Sequence, residues 1–170
     1  YLRDLLDRTK DEKSVDLVLE DIGRHYDADR AYLFELDSIG SCWNNTYEWC
    51  REGVNPEKDN LQNIPVEGLE CWFEAFENEG EFFISSLSED YTPDSRTYQI
   101  LEPQGIESLM AAPFIVGGKI AGFLGVDNPR RNTDELLMLQ VVASSLYGEV
   151  LTRHQMDTRL QERMHIIQSM

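Results

Sequence analysis

The chain has 170 residues, 41% of them hydrophobic and 28% charged, which suits one globular domain that buries its core without metals or disulfides. Its 15 lysines and arginines stand against 32 aspartates and glutamates, for a formal net charge of −17 at pH 7. Such a surface repels phosphate backbones and anionic lipid headgroups, so the composition predicts no nucleic-acid partner and no direct membrane contact.

Targeting and redox features are sparse. No apolar run approaches the roughly 20 residues that span a bilayer, and no signal peptide is recognisable. Cys42, Cys50 and Cys71 lack CxxC spacing, so we expect reduced thiols in a cytoplasmic protein, with neither a disulfide nor a metal site. The sequence starts and ends inside helical patterns, from which we expect it to be a piece of a longer polypeptide.

Residues 1–27 are predicted to be helical. Apolar residues recur there at spacings of four, three and four, the pattern of an amphipathic helix: Val15, Leu19, Ile22 and Tyr26. Charged residues at 10–13 interrupt this stripe, and Thr9 or Ser14 could cap a new helix, so the segment is one helix or two. We expect residues 1–13 to form a linker or signalling helix ahead of the domain.

Two strand patterns follow, at residues 31–36 and 41–50, on either side of a turn at 37–40. The second strand alternates regularly, and a strand places every second side chain on the same face. One face of this strand is therefore expected to carry Trp43, Asn45, Tyr47 and Trp49.

The middle of the chain predicts shorter elements. Aromatic and aliphatic residues at helical spacing indicate a short helix: Leu69, Trp72, Phe73 and Phe76. A strand at 81–85 and a short helix around 95–101 follow, and the stretch 53–65 is predicted to be a loop.

The strongest local signal is a second hairpin. Residues 107–116 and 119–127 are two β-rich runs around Gly117-Gly118, a two-residue turn that tolerates positive φ at both positions. Gly122 and Gly125 in the last strand leave room for another element, or a ligand, to approach closely. Pro113 cannot donate to a ladder and belongs at a bulge or on an unpaired edge.

From residue 133 a long helix is predicted. Apolar positions recur every three or four residues along it and form a seam with two charged members: Leu139, Ala143, Leu146, Val150, Arg153, Asp157, Leu160, Met164 and Ile167. We expect a homodimer in which the terminal helices of two copies pack in parallel, through Leu139, Leu146, Val150, Leu160, Met164 and Ile167. In the alternative, residues 136–150 pack on their own sheet and 154–170 form a linker.

The element order predicts an α+β fold. Strands joined by tight turns form an antiparallel sheet, and helices cover at least one of its faces.

Several motifs, in this order, resemble a GAF domain of the kind found upstream of bacterial GGDEF diguanylate cyclases and sensor histidine kinases. They are Tyr47-Glu48-Trp49-Cys50 with Gly53, residues 61–65, Cys71-Trp72-Phe73 with Gly80, residues 104–109, Pro113, and residues 118–127. The resemblance implies a PAS-related sheet of five or six strands, with the terminal helices on one face and loops and short helices closing a pocket on the other. The domain would span residues 14–153, with 154–170 leading to an output domain.

Such domains bind cyclic nucleotides, tetrapyrroles or small metabolites, and many have no known ligand. The candidate pocket residues are mostly aromatic: Trp43, Tyr47, Trp49, Trp72, Phe73, Tyr98 and Met110. In the alternative these side chains only fill the core. Arg51 and Arg96 could meet a ligand carboxylate or phosphate, or pair with surface acids. The sequence names no cofactor.

Three functions stay open at this point: a regulatory sensor, a ligand-free dimerisation spacer, and a thiol-dependent reductase of free methionine sulfoxide. Reductase chemistry needs two thiols within reach. Cys42 and Cys50 are eight residues apart on one strand, roughly 26 Å, and the His-Ile-Ala-Cys-Asp signature of that branch is missing. The cyclic-nucleotide pattern is present only as a fragment at 132–135, and no cysteine has the Cys-His context of a bilin site. We therefore predict a sensor that is not itself an enzyme.

Overall fold

The computed structural model describes residues 2–3, 15–148 and 152–169. Its helices are α1 (Val15–His25), α2 (Glu70–Glu79), α3 (Leu87–Asp90), α4 (Arg96–Leu101), α5 (Leu136–Leu146) and α6 (Thr152–Ser169). Its strands are β1 (Arg30–Leu36), β2 (Cys42–Cys50), β3 (Ile64–Pro65), β4 (Phe82–Ile84), β5 (Leu109–Val116) and β6 (Lys119–Asp127). Short 3-10 turns lie at Lys58–Asn60 and Glu102–Gln104.

The six strands form one antiparallel sheet in the order β3-β2-β1-β6-β5-β4. The predicted α+β class and antiparallel sheet are confirmed. One strand was missed: β3 is only two residues long and pairs with the start of β2, inside a stretch that had been predicted to be a loop. Pro65 is tolerated there because β3 is an edge strand.

The two faces of the sheet carry separate hydrophobic cores. On one face α1 and α5 pack over the strands, and the amphipathic pattern is confirmed by the buried residues of α1 and the tyrosine that follows it: Val15, Leu19, Ile22 and Tyr26. The Tyr26 hydroxyl donates to the backbone carbonyl of Glu135, at 2.6 Å, which joins the end of α1 to the approach of α5. On the other face α2, α4 and the segments around them cover an aromatic core.

β2 does not alternate as regularly as predicted. Its pairing with β1 shifts where Leu33 lies opposite Tyr47 and Phe34 lies opposite Asn45, so Thr46 is an extra residue in a β-bulge. A bulge reverses which face the following residues present. Trp43 and Asn45 therefore face the aromatic core while Tyr47 and Trp49 face the α1 layer, and the prediction that all four share a face is wrong.

Two glycines make close contacts possible. A Cβ at Gly23 of α1 would lie 2.2 Å from the ring of Trp49, and one at Gly125 would lie 2.8 Å from the ring of Tyr32. The room predicted beside Gly125 is thus filled by a side chain of the neighbouring strand. The Gly117-Gly118 turn has positive φ at both positions, 59° and 78°, as the hairpin prediction required.

The C-terminal helix begins three residues later than the predicted start at 133. α5 begins at Leu136, and residues 149–151 lie outside the described part of the chain. Leu139 and Leu146 are fully buried against their own sheet, so these two residues offer no surface to a second copy and their place in a dimer seam is wrong. Val150 lies outside the described residues.

The remaining seam residues lie on α6 and are exposed. Leu160 is 57% exposed, Met164 52% and Ile167 69%. Among the residues that the structure describes, no helix combines the length and apolar character that crossing a membrane requires.

Candidate functional site

A cavity lies between the aromatic face of the sheet and the segments that cover it. Aliphatic residues of the cover close it from above: Leu61, Ile64, Leu69, Ile100, Leu101 and Ile106. The cavity has a volume of about 50 Å³. This is about a third of the roughly 150 Å³ of an engineered cavity that admits benzene, so in this shape there is room for a few non-hydrogen atoms.

Aromatic rings form one wall of the cavity. Phe123 of β6 stacks on Phe34 at 4.9 Å between ring centroids and meets Trp43 edge-on at 4.9 Å. Trp72 of α2 approaches the same ring at 5.4 Å, and its indole N–H donates to Thr97 Oγ1 at 3.0 Å. Buried aromatic pairs at these distances contribute beyond their hydrophobic area, so this wall is a well-ordered surface.

Polar groups gather at the other end, where β1 begins and β6 ends. The Tyr32 hydroxyl donates to Asp127 Oδ1 at 2.7 Å, and Arg30 lies 3.3 Å from Asp127 Oδ2. Arg30 also donates to the backbone carbonyls of Asn55 and Gln104, at 3.1 and 3.2 Å. The guanidinium therefore ties the sheet to the 51–57 loop and to the cover.

Burial dominates the electrostatics of this cluster. It raises the pKa of Asp127 to about 6, although the hydrogen bonds from Tyr32 and Arg30 act in the opposite direction. The pKa of Tyr32 is also raised well above its usual value, because the ring is buried and because the Asp127 carboxylate opposes ionisation. The negative charge of Glu48 raises both pKa values further.

Asn45 and Glu48 of β2 both face the cavity, and they lie on either side of the bulge. The Glu48 carboxylate accepts the backbone N–H groups of Glu57 and Lys58, at 3.1 and 3.2 Å. The Asn45 amide nitrogen donates to the carbonyls of Leu33 and Tyr47, at 2.9 and 3.0 Å. Both carbonyl oxygens beside the bulge thus have a hydrogen-bond donor. The Asn45 Oδ1 is buried and has no hydrogen-bond partner among the described residues.

The predicted pocket residues divide between the two faces. Trp43 and Trp72 line the cavity. Phe73 stacks on Trp43 at 5.2 Å, and Tyr98 is half-buried against the same core, but neither lines the space itself.

Three predicted pocket residues are placed elsewhere. Tyr47 and Trp49 face the α1 layer because of the bulge, and Met110 is fully buried in that same layer. Met110 follows Leu109 in a regular strand, so the two side chains point to opposite faces, and it is Leu109 that lines the cavity.

Sequence reasoning missed the polar residues that line the cavity: Tyr32, Asn45, Glu48, Thr97, Gln104 and Asp127. A carboxylate closing a strongly apolar strand was a usable signal for Asp127, since Asp is rarely buried without a partner. The two arginines considered as ligand contacts are absent from the cavity lining. Arg51 pairs with Asp27, and Arg96 donates to the carbonyl of Glu67 at 3.3 Å.

One of the three cysteines lies in an environment that is unfavourable for redox catalysis. Burial raises the pKa of Cys50 to about 11, which works against the thiolate that such chemistry needs. Cys71 is exposed on α2, with its sulfur 3.7 Å from Thr97 Oγ1. Within the described ranges, no three His, Cys, Asp or Glu residues cluster in a way that could hold a metal ion.

Known proteins share this fold and part of this sequence. A family model described as GAF domain matches residues 12–149. The chain is 32% identical over 139 residues to the methanogenesis regulatory histidine kinase FilI of Methanothrix harundinacea (strain 6Ac), covering 77% of this chain and 15% of that protein.

Two solved structures illustrate the likeness in fold. The phycocyanobilin-bound GAF domain from a cyanobacterial phytochrome matches with a TM-score of 0.68 at 17% identity, over 86% of this chain and 91% of that one. Residues 122 to 287 of a methyl-accepting chemotaxis protein match with a TM-score of 0.64 at 16% identity, over 91% of this chain and 96% of that fragment. At these identities the structural matches speak to the fold alone.

Proposed function

Since this chain belongs to the GAF domain family, we propose that it is a regulatory sensor module that binds a small molecule in the cavity between the sheet and its cover. The observation that carries the proposal is the cavity itself: it has an aromatic wall and a polar end, and its Asn45 Oδ1 is buried without a hydrogen-bond partner among the residues that the structure describes. Apolar walls with a few placed polar groups are the usual design of small-molecule sites. The relation to a segment of a regulatory histidine kinase supports the same role.

A metabolite panel screened by thermal unfolding tests the sensor role. A ligand at 100 times its Kd adds about 2.7 kcal/mol to the free energy of unfolding, which for a domain of this size raises Tm by roughly 5–11 °C. The shift should disappear in Leu101→Phe, which narrows the cavity, and persist in Leu17→Phe, an exposed position on α1. A panel that produces no shift, or a shift that Leu101→Phe leaves unchanged, contradicts a ligand in this cavity.

We further propose that α6 pairs with α6 of a second copy and carries the signal toward an output domain. The support is an exposed apolar stripe on α6, which spans about 80° of the helix circumference at 3.6 residues per turn: Met156, Leu160, Met164 and Ile167. Helices that present such a stripe associate through it in water.

The dimer proposal is tested by sedimentation. The chain should sediment as a dimer at micromolar concentration, and Leu160→Glu with Met164→Glu should raise the dissociation constant at least tenfold, because four carboxylates would enter one seam. Leu137→Glu, at an exposed site on α5 outside the stripe, should leave the dimer unchanged. A wild-type chain that stays monomeric at high concentration rules out the pairing.

The proposal extends to the output domain, the origin and the location of the whole protein. A histidine kinase output is favoured by the FilI relation, with a GGDEF diguanylate cyclase as the second candidate; a bacterial origin and a cytoplasmic location stay predictions. The domain itself is proposed to be regulatory and not catalytic. A thiol-dependent reductase remains the enzyme alternative, and methionine sulfoxide turnover that is lost in Cys71→Ser would favour it.

A further inference from the structure

We propose that the ligand of the cavity is a small organic cation, a protonated amine or amidine on a short apolar body, with its charged head at Asn45 and Glu48. This inference rests on the proposed sensor function and adds to it the chemical class of the ligand. It is carried by the charges around the cavity, by the unpartnered acceptor and by the aromatic wall.

The charge balance of the cavity is negative. Two carboxylates, Glu48 and Asp127, line it, and within the described part of the chain no Lys, Arg or His does. Arg30 lies behind the lining and pairs with Asp127, so one positive charge offsets one of the two negative charges. Glu48 accepts the neutral backbone N–H groups of Glu57 and Lys58, which hold the carboxylate in place and add no positive charge to the cavity.

The acceptor on Asn45 points to a donor on the ligand. Asn45 is only 1% exposed and lines the cavity, and its amide nitrogen is already committed to two backbone carbonyls at the bulge. Those two bonds fix the orientation of the amide, because turning it over would place the oxygen against the same carbonyls. A buried acceptor without a partner is destabilising, because it has lost its hydrogen bonds to water. A ligand N–H group would satisfy it.

The apolar wall suits the rest of such a ligand. The faces and edges of Phe34, Trp43, Trp72 and Phe123 border the space. Aromatic rings attract cations through their quadrupole and also bury alkyl groups. A volume of about 50 Å³ limits the body to a few atoms unless the cover moves.

Anions are disfavoured by the same features. A carboxylate or phosphate in the cavity would face Glu48 and the Asn45 oxygen, and none of the described lining residues is a cation that would compensate its loss of hydration. The prediction therefore separates ligands of equal size by the sign of their charge.

The test uses three probes of similar size and different charge: propylammonium, 1-propanol and propionate. Each is titrated into the wild-type chain at constant ionic strength while the indole N–H signals of the three tryptophans are followed by NMR. Trp43 and Trp72 border the cavity, and Trp49 lies on the opposite face of the sheet. Its signal reports non-specific attraction of cations to the acidic surface.

The expected result is a saturable shift of the Trp43 and Trp72 signals by propylammonium with a millimolar Kd. Four non-hydrogen atoms cannot bind more tightly than tens of micromolar. We expect at least fivefold weaker binding of 1-propanol and no saturation by propionate. Glu48→Gln should weaken propylammonium binding about tenfold, and Glu52→Gln, the same change at an exposed position four residues further along, less than twofold.

Equal or tighter binding of propionate or 1-propanol at Trp43 and Trp72 overturns the inference and leaves the sensor function in place. The same holds if Glu48→Gln and Glu52→Gln behave alike. If none of the three probes moves those signals, the inference is also overturned, and the sensor function is decided separately by the metabolite panel. The comparison among probes uses wild-type protein, so it does not depend on a variant folding.

Discussion

Replacing Phe123 with alanine is expected to lower the free energy of unfolding by about 3–5 kcal/mol, the usual cost of removing a buried aromatic ring. Phe123 is 4% exposed and its ring contacts those of Phe34, Trp43, Trp72 and Phe76 at centroid distances of 4.9–5.4 Å. The neighbouring rings cannot collapse into the space without losing their mutual stacking. For a domain of this size, Tm should fall by roughly 6–20 °C, as measured by circular dichroism.

The matched control is Phe83→Ala. Phe83 lies on β4, the edge strand, and is 48% exposed, so its truncation removes the same atoms from a site that is half in water. We expect a change below about 1 kcal/mol. Similar losses for the two variants would mean that Phe123 does not hold the aromatic wall together.

The second large effect is expected from Arg30→Met, and it should depend on pH. Removal of one partner of a buried ion pair leaves the other charge unpaired and costs about 3–5 kcal/mol. Asp127, the partner, is fully buried, and the pKa of its carboxyl is about 6 even with Arg30 present. Without the guanidinium this pKa rises further.

The direction of the pH effect follows from that pKa. A carboxyl whose pKa is raised in the folded state contributes most to stability below its unfolded pKa of 3.8, and that contribution is lost as pH rises through the folded pKa. The loss in Arg30→Met should therefore be larger at pH 8, where Asp127 is charged, than at pH 5, where it is mostly protonated. Urea unfolding at the two pH values measures this difference.

Arg24→Met is the control for the charge change alone. Arg24 pairs with Glu20 on the surface of α1, at 2.9 Å and with its side chain 69% exposed. Exposed pairs contribute about 0–1 kcal/mol, so we expect a small and nearly pH-independent loss. An Arg30→Met variant that loses equal stability at pH 5 and pH 8 would contradict a charged, buried Asp127.

Local patterns in the sequence were sufficient for most of the fold. Two adjacent glycines permit the positive φ at both residues that a two-residue hairpin turn needs, and the α1 stripe matched one helical face. These predictions succeeded because the responsible interactions are short in sequence. β3 was missed because a strand of two residues is too short to show the alternation of apolar and polar side chains by which a strand is predicted.

The candidate site was only half predictable, and the bulge is the main reason. Regular alternation placed Tyr47 and Trp49 with Trp43, and the extra residue at Thr46 reverses the second half of the strand. Residues 42–50 alone do not indicate this bulge, because it depends on the pairing of β2 with β1. The polar cluster was missed for a similar reason: Arg30, Tyr32 and Asp127 meet only when β1 lies beside β6.

The position of β1 has a practical consequence for protein engineering. Ala31 and Leu33 of this central strand pack in the layer under α1 and α5, whereas Tyr32 and Phe34 face the cavity. One short segment therefore contributes side chains to both cores. A chimera that takes the cavity of a related domain while keeping helices α1 and α5 would have to take β1 as well, and the new β1 would then not match the helices that were kept. The cavity is better exchanged together with its helices, by transferring residues 12–149, the range that the family model matches, as one block.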